Sequence, residues 1–251
     1  LTLTFLGYSA FKFELPGLRI YVDPFFRDPI DWTRLEEGDV VLYTHGHFDH
    51  GISYAPALWE AWNCKFVAPR SLIRWMARSY RRFIPDKALI PLSHGESVSF
   101  RGTNIKAVYA EHPVNRLGKT ILTLLSRSRA PGTPVNGYYF AGYYHSGDTV
   151  YSPRIAASLK DCDIDVACLP IGGKYKVAGP QEALKIAEEI GANHLVPMHW
   201  QPLTQQVPFR YRPSDILKLA AQSGTSVKVH ALAIGEVFDS QQKLLVSSAT
   251  S

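Results

Sequence analysis

Cysteine is scarce in this chain. Its 251 residues include three, Cys64, Cys162 and Cys168, which are scattered, odd in number and without CxxC spacing. A disulfide framework and a cysteine-based zinc site are therefore not expected, and a reducing, cytoplasmic setting is. Long apolar runs are missing too. Nothing approaches the stretch of about 20 apolar residues that crosses a bilayer, so no membrane span is predicted. There is no repeat of fixed period and no low-complexity tract. The chain opens at Leu1 with strand-like alternation rather than a signal peptide, and the lack of an initiator Met leaves a removed leader open.

Excess charge is small: 27 Lys+Arg against 22 Asp+Glu, a net +5. Much of it lies in "RSLIRWMARSYRRF", where Arg70, Arg74, Arg78, Arg81 and Arg82 recur at near-helical spacing, with Leu72, Met76, Tyr80 and Phe83 on the other face. This predicts a helix over roughly 71–83 with a solvated basic face. Binding to an acidic polymer or a membrane surface is the alternative, and no interleaved recognition motif strengthens it.

Hydrophobic residues make up 46% and charged residues 20%, an ordinary globular composition that can build a core. The first half reads as short strands with tight connections: "LTLTFLG", "AFKFEL", "LRIYVD", "DVVLYT" and "KFVAP". After the basic helix come "ESVSF", "NIKAVYAEH", "ILTLLS" and "GYYFAGYYHSGD", with "RSRAPGTPVNG" as a hairpin excursion before the last. The second half alternates. The strand "DIDVACLPI" leads to the loop "GGKYKVAG", and a helix opens on Pro180 and closes before Gly191. "HLVPMHW" is a strand, Ser214 an N-cap for "DILKLAAQS", and "SVKVHAL" a final strand. Meanders followed by alternation predict stacked sheets with helices outside, in one domain over residues 1–251.

One stretch resists a core explanation. "YTHGHFDHG" crowds His45, His47, Asp49 and His50 into a single turn after an apolar run. Alternate residues of a strand-to-loop turn point the same way, so His45 and His47 can aim at one point and Asp49 and His50 at a second. Imidazole nitrogen and carboxylate oxygen suit Zn²⁺, Mn²⁺ and Fe²⁺. A catalytic ion wants about three protein ligands, so two sites need help from elsewhere. His112, Asp148 and His199 each follow an apolar run, where a strand should leave the core. The set divides into His45, His47 and His112 for one ion and Asp49, His50 and His199 for the other, with Asp148 bridging. His94, His194 and His230 read as ordinary polar histidines, and His145 as a donor supporting a ligand. Trp200 and Tyr211 read as packing residues or pocket lining.

"THGHFDH" matches the HxHxDH signature of the metallo-β-lactamase superfamily, and "SGDT" resembles its bridging-aspartate motif. "CLPIGG", "GPQEALKIAEEIGANHLVPMHW" and "LTFLGYSAFKFE…IYVDPF" are similar to a branch of small metal-dependent hydrolases related to ascorbate-6-phosphate lactonase and, more distantly, to N-acyl-phosphatidylethanolamine phospholipase D. The resemblance runs over about residues 3–203. It implies an α+β fold, an αββα sandwich of two packed mixed sheets flanked by helices, with a dinuclear site at one edge. Two departures matter. Tyr8 stands where the branch often has His, which unsettles that side chain's contact with substrate. The lactonase typically has Glu where this chain has His47, so sugar-phosphate lactone specificity is not carried over.

Two divalent ions, zinc first with manganese or iron as alternatives, would share a hydroxide that attacks a carbonyl or phosphorus centre. Asp49 would ligate and orient that nucleophile, with Asp148 the second catalytic carboxylate. The expected substrate is a small ester, lactone or phosphodiester. Lys174, Lys176, Arg116 and Lys119, together with Tyr8 and His145, are candidates to contact it, and the cations favour an anionic one. The rival is a metal-dependent nuclease acting on RNA or DNA. Against it, the chain shows no second domain to hold a polymer and its basic stripe is short. Redox use of iron, or a metal-free binding module, has still less support from these residues.

Overall fold

The computed structural model describes residues 1–26, 31–113, 129–174, 176–201, 209–240 and 244–246. The chain divides into two compact units, one of Leu1–Ser93, Val114–Pro134 and Ile234–Ser251, the other of His94–Pro113 and Val135–Ala233. Each is built on one mixed sheet.

In the first unit, β1 (Thr2–Gly7), β2 (Ala10–Leu15) and β3 (Leu18–Val22) form an antiparallel meander. β4 (Val40–Leu42), β5 (Lys65–Pro69) and β6 (Leu89–Leu92) then add in parallel to β3. A late return of the chain supplies β14 (Val237–Asp239) and β15 (Leu244–Val246) beyond β1, giving eight strands in all. Tight turns between neighbours explain the meander, whereas parallel strands need crossovers. From β4 to β5 and from β5 to β6 these contain α1 (Ala55–Trp62) and α2 (Arg70–Ser79). Leu58 and Trp62 of α1 and Leu72, Ile73 and Met76 of α2 join Val41, Phe66 and Ala68 in one apolar cluster. Each large side chain so buried contributes about 1.5–3 kcal/mol.

In the second unit, β7 (Ser97–Phe100), β8 (Thr103–Tyr109), β9 (Asn136–Phe140) and β10 (Tyr143–His145) are antiparallel. β11 (Val166–Pro170), β12 (His194–Met198) and β13 (Lys228–Val229) run parallel to β10. α3 (Pro153–Leu159) lies on β8, α4 (Pro180–Glu189) on β11 and β12, and α5 (Pro213–Ser223) on α4 and β13. Every residue of β11 and β12 is buried. Parallel strands covered on both faces read as continuous apolar runs, which is why "VACLP" and "LVPM" lack alternation.

Several expectations are corrected. The basic helix stops at Ser79 rather than continuing to 83. Pro85 disfavours helical geometry at Ile84, and the amides of Phe83 and Ile84 both turn back to the Tyr80 carbonyl, at 2.8 and 2.9 Å. Phe83, expected on the buried face, is 61% exposed, while Arg70, Arg74, Arg78, Arg81 and Arg82 face solvent as expected. "GYYFAGYYH" is a hairpin, β9 turning into β10 through Ala141 and Gly142 at φ 48° and 85°. α5 starts at Pro213, one residue before the expected cap Ser214. α1, α3, β6, β14 and β15 are additional to the elements expected. "ILTLLS" lies outside the described residues.

Candidate metal centre

Within each sheet the expected ligands follow the carboxyl ends of strands. Parallel strands characteristically present ligand sites there, because the loops leaving them gather at one edge. In the first unit β3 runs into Asp23 and β4 into Thr44–His50. In the second, β8 leads to His112, β10 to Asp148 and β12 to His199.

Asp23 organises the first set. Completely buried and at φ 46°, it accepts the Thr44 amide at 2.8 Å on Oδ1. On Oδ2 it accepts the Thr44 hydroxyl at 2.6 Å and His50 Nδ1 at 2.6 Å. A carboxylate only accepts, so His50 must carry its proton on Nδ1, which leaves the Nε2 lone pair as the ligand atom. The Thr44 hydroxyl, its own proton spent on Asp23, accepts from His45 Nδ1 at 3.0 Å. His45 is thereby held in the same tautomer. Its Nε2 faces His47 Nδ1 at 2.8 Å, and the His45 and His50 rings lie 4.0 Å apart. A 3-10 turn, Phe48–His50, brings Asp49 round to within 4.8 Å of the His50 ligand atom. Gly51 ends that turn at φ 78°, and a Cβ there would sit 2.0 Å from the Pro24 carbonyl oxygen. The loop can close over the Asp23 segment only with glycine at this position.

Asp148 is the hub of the second set. Its Oδ1 lies 3.2 Å from His199 Nε2 and its Oδ2 3.9 Å from His112 Nε2. One carboxylate thus turns each oxygen towards a different imidazole. His112 donates from Nδ1 to the Lys176 carbonyl at 3.0 Å, which again frees Nε2. His199 follows β12 at φ 54°, its ring against Phe209. Gly172 makes room for it, since a Cβ there would meet the His199 carbonyl oxygen at 2.4 Å. Thr149 ties these loops together: its hydroxyl accepts the Glu111 amide at 3.0 Å, and its carbonyl accepts the Ala178 amide at 2.7 Å.

The remaining candidates are placed as follows. His145 is buried, and its Nδ1 accepts the Gly147 amide at 3.2 Å, bracing the turn before Asp148. Lys176 has an exposed side chain and serves His112 through its backbone, while Lys174 is half-buried. Tyr8 is buried at φ 58° with its ring edge-on to Phe25. Arg116 and Lys119 lie outside the described residues. His94 bonds the Val135 carbonyl at 2.8 Å, and His194 meets His230 at 2.9 Å where β12 begins, so these three have structural partners as expected. Trp200 packs against the second unit's apolar cluster. Asp23, Thr44 and Thr149 were not anticipated as functional. For Asp23 the available signal was a carboxylate ending the apolar run "IYV" directly before proline.

The donors fit divalent ions of the zinc, manganese and iron type: imidazoles, three of them in the tautomer that presents Nε2, plus carboxylates. Thiolates play no part. Burial pushes the Cys64 thiol up to about 12 and the Cys168 thiol higher still. Among the described residues no helix is long and apolar enough to cross a membrane.

Comparison with known proteins places the chain in a family. The chain is 28% identical to a UPF0173 metal-dependent hydrolase of Pyrobaculum neutrophilum, over 92% of this chain and 96% of that one. Among solved structures it resembles Igni18, a metallo hydrolase from the archaeon Ignicoccus hospitalis, with TM-score 0.75, 24% identity, and 95% and 98% of the two chains covered. It also resembles the metallo-beta-lactamase fold protein YhfI of Bacillus subtilis, with TM-score 0.68, 16% identity, and 94% and 98% covered. Two mixed sheets with flanking helices are the fold these proteins share with it, as expected from the sequence. The family described as "Beta-lactamase superfamily domain" matches residues 2–199, and the chain belongs to the metallo-β-lactamase superfamily.

Proposed function

We propose that this metal-dependent hydrolase of the metallo-β-lactamase superfamily holds two divalent ions and cleaves a small ester, lactone or phosphodiester. In this reading His45, His47 and His112 would hold one ion and Asp49, His50 and His199 the other, with Asp148 bridging them. The observation that carries the reading is the Asp148 carboxylate, whose two oxygens turn to two different imidazoles. When bound, such ions lower the pKa of water towards about 7 and polarise the substrate oxygen.

The chain's own residues do the rest. Asp23, Thr44 and the Lys176 carbonyl hold three imidazoles in the tautomer that leaves Nε2 available. Asp49, largely buried beside His50, orients the attacking water and takes up its proton. Lys174 and Lys176 favour a substrate that carries negative charge. A nuclease reading is kept for one observation: the five arginines between Arg70 and Arg82 are exposed and suit a phosphate backbone.

Elemental analysis after reconstitution with excess Zn²⁺ or Mn²⁺ should return two ions per chain, and Asp148→Ala should lower occupancy at both sites. One ion or none would overturn the dinuclear reading. A screen of lactones, bis-aryl phosphodiesters and short RNA separates the substrate classes.

A further inference from the structure

α2 and the turn after it carry a charge pattern that the metal reading does not use. No aspartate or glutamate lies between Glu60 and Asp86, whereas Arg70, Arg74, Arg78, Arg81 and Arg82 all do, and all five are exposed. Arg70, Arg74 and Arg78 stand four apart, so their side chains leave one face of the helix in a row. β5 and β6, the strands that α2 packs on, carry no acid either. Arg70 donates to the Ser93 hydroxyl at 2.9 Å. The side chains of Arg74, Arg78, Arg81 and Arg82 have no ion pair or hydrogen bond among the described residues. Acids and bases that alternate at i, i+4 support a solvated helix, and a row of like charges opposes it. The charge on this face is of one sign and uncompensated.

The second observation is apolar. Phe83 is 61% exposed, more than any other large apolar side chain among the described residues. A single exposed apolar side chain needs no explanation by itself, but this one directly follows Arg81 and Arg82, and its turn holds it out. The Phe83 and Ile84 amides bond the Tyr80 carbonyl at 2.8 and 2.9 Å, the Tyr80 hydroxyl bonds the Ile52 carbonyl at 3.2 Å, and Ile84 is buried. Trp75, half-buried, stands one turn before Arg78 with its ring edge-on to Tyr80 at 5.1 Å.

We propose that this face docks the protein on an anionic lipid bilayer, with the arginine row over the phosphate headgroups and Phe83 inserted between them. Arginines with aromatic rings at their margin match a bilayer interface, which is charged at its surface and apolar just below. A nucleic acid would satisfy the charge, but single strands are gripped by successive aromatic platforms. Here the exposed ring lies at the end of the row rather than along it. The attachment is peripheral and requires no bound metal.

The test is co-sedimentation of full-length protein, in chelator, with vesicles of phosphatidylcholine alone and of equal parts phosphatidylcholine and phosphatidylglycerol. The protein should bind the anionic vesicles and not the neutral ones, less tightly as salt is raised. Arg74→Ala and Arg78→Ala should each weaken binding about fivefold, the contribution of one arginine near such a surface. Phe83→Ala should weaken it by about three- to tenfold, because insertion buries only part of the ring. Lys160→Ala/Lys218→Ala, which removes as much charge from other exposed positions as Arg74→Ala/Arg78→Ala does, should bind like the wild type. No binding to anionic vesicles, an equal loss in the lysine and arginine double variants, an unaffected Phe83→Ala variant, or a short RNA that binds more tightly than the vesicles would overturn the proposal. All the substituted side chains are exposed, so the variants should fold, and the chelator keeps the outcome independent of metal stoichiometry.

Discussion

Asp23→Asn is the sharpest perturbation of the candidate centre, because it alters a residue that would ligate nothing. The wild-type carboxylate is fully buried and accepts three hydrogen bonds of 2.6–2.8 Å, two of them on Oδ2. Asparagine has nearly the same shape but a single acceptor oxygen. With its NH₂ at the Oδ1 position it faces the Thr44 amide, a donor that cannot turn away. With its NH₂ at the Oδ2 position it faces the Thr44 hydroxyl and His50 Nδ1–H. The hydroxyl can rotate, but His50 can adapt only by moving its proton to Nε2, which removes the ligand lone pair. Hydrogen bonds to a charged group contribute about 1.5–3 kcal/mol each, so losing one or two should destabilise the metal-free protein by about 2–4 kcal/mol. Zinc affinity at the His50 site should fall about 10–100-fold, the usual cost of removing a partner that orients a ligand. Chelator competition measures the affinity, a urea melt of metal-free protein measures the stability, and ¹⁵N NMR of the imidazoles reports the tautomer. A variant with wild-type zinc affinity and an unchanged His50 tautomer would refute the reasoning.

Asp49→Asn should retain much of the metal yet lose most turnover, because an amide cannot take a proton. Metal content and kcat measured on one preparation decide this. Gly172→Ala forces a Cβ to 2.4 Å from the His199 carbonyl oxygen and 2.5 Å from the Phe209 ring. It should cost about 1–3 kcal/mol of stability and weaken metal binding through His199, and an unchanged melting temperature would show that the loop yields freely. Burial, assisted by His194 and Lys228, lowers the His230 imidazole from 6.5 to about 4. Between those values the unfolded chain binds a proton that the folded chain refuses, so this contribution is intact above pH 6.5 and is lost as pH falls towards 4. For a half-buried ring the loss is about 1–2 kcal/mol. His230→Asn should show that much less acid destabilisation in urea melts at pH 7 and pH 4.5, and parallel losses in both proteins would count against it.

The candidate metal loop was legible in the sequence because its residues are contiguous. His45, His47, Asp49 and His50 lie within six positions, and a buried strand before them fixes which way the turn can go. Strand-end placement located His112, Asp148 and His199 for a related reason: an apolar run that stops at a polar residue marks where the chain leaves the core. Central strands such as "VACLP" and long amphipathic helices were equally readable. α1 and α3 were not, being short segments whose helical geometry depends on packing against their own sheet. β14 reads as a strand only because β1 offers an open edge.

Ligand orientation belonged to the tertiary structure alone. Asp23 reaches His50 across 27 positions and the Lys176 carbonyl reaches His112 across 64. Nothing local at either end names its partner, since a buried proton is assigned by whichever acceptor the fold brings to it. Composition and spacing determined which chemistry the chain carries, while contacts made by the fold decided which nitrogen of His45, His50 and His112 is available.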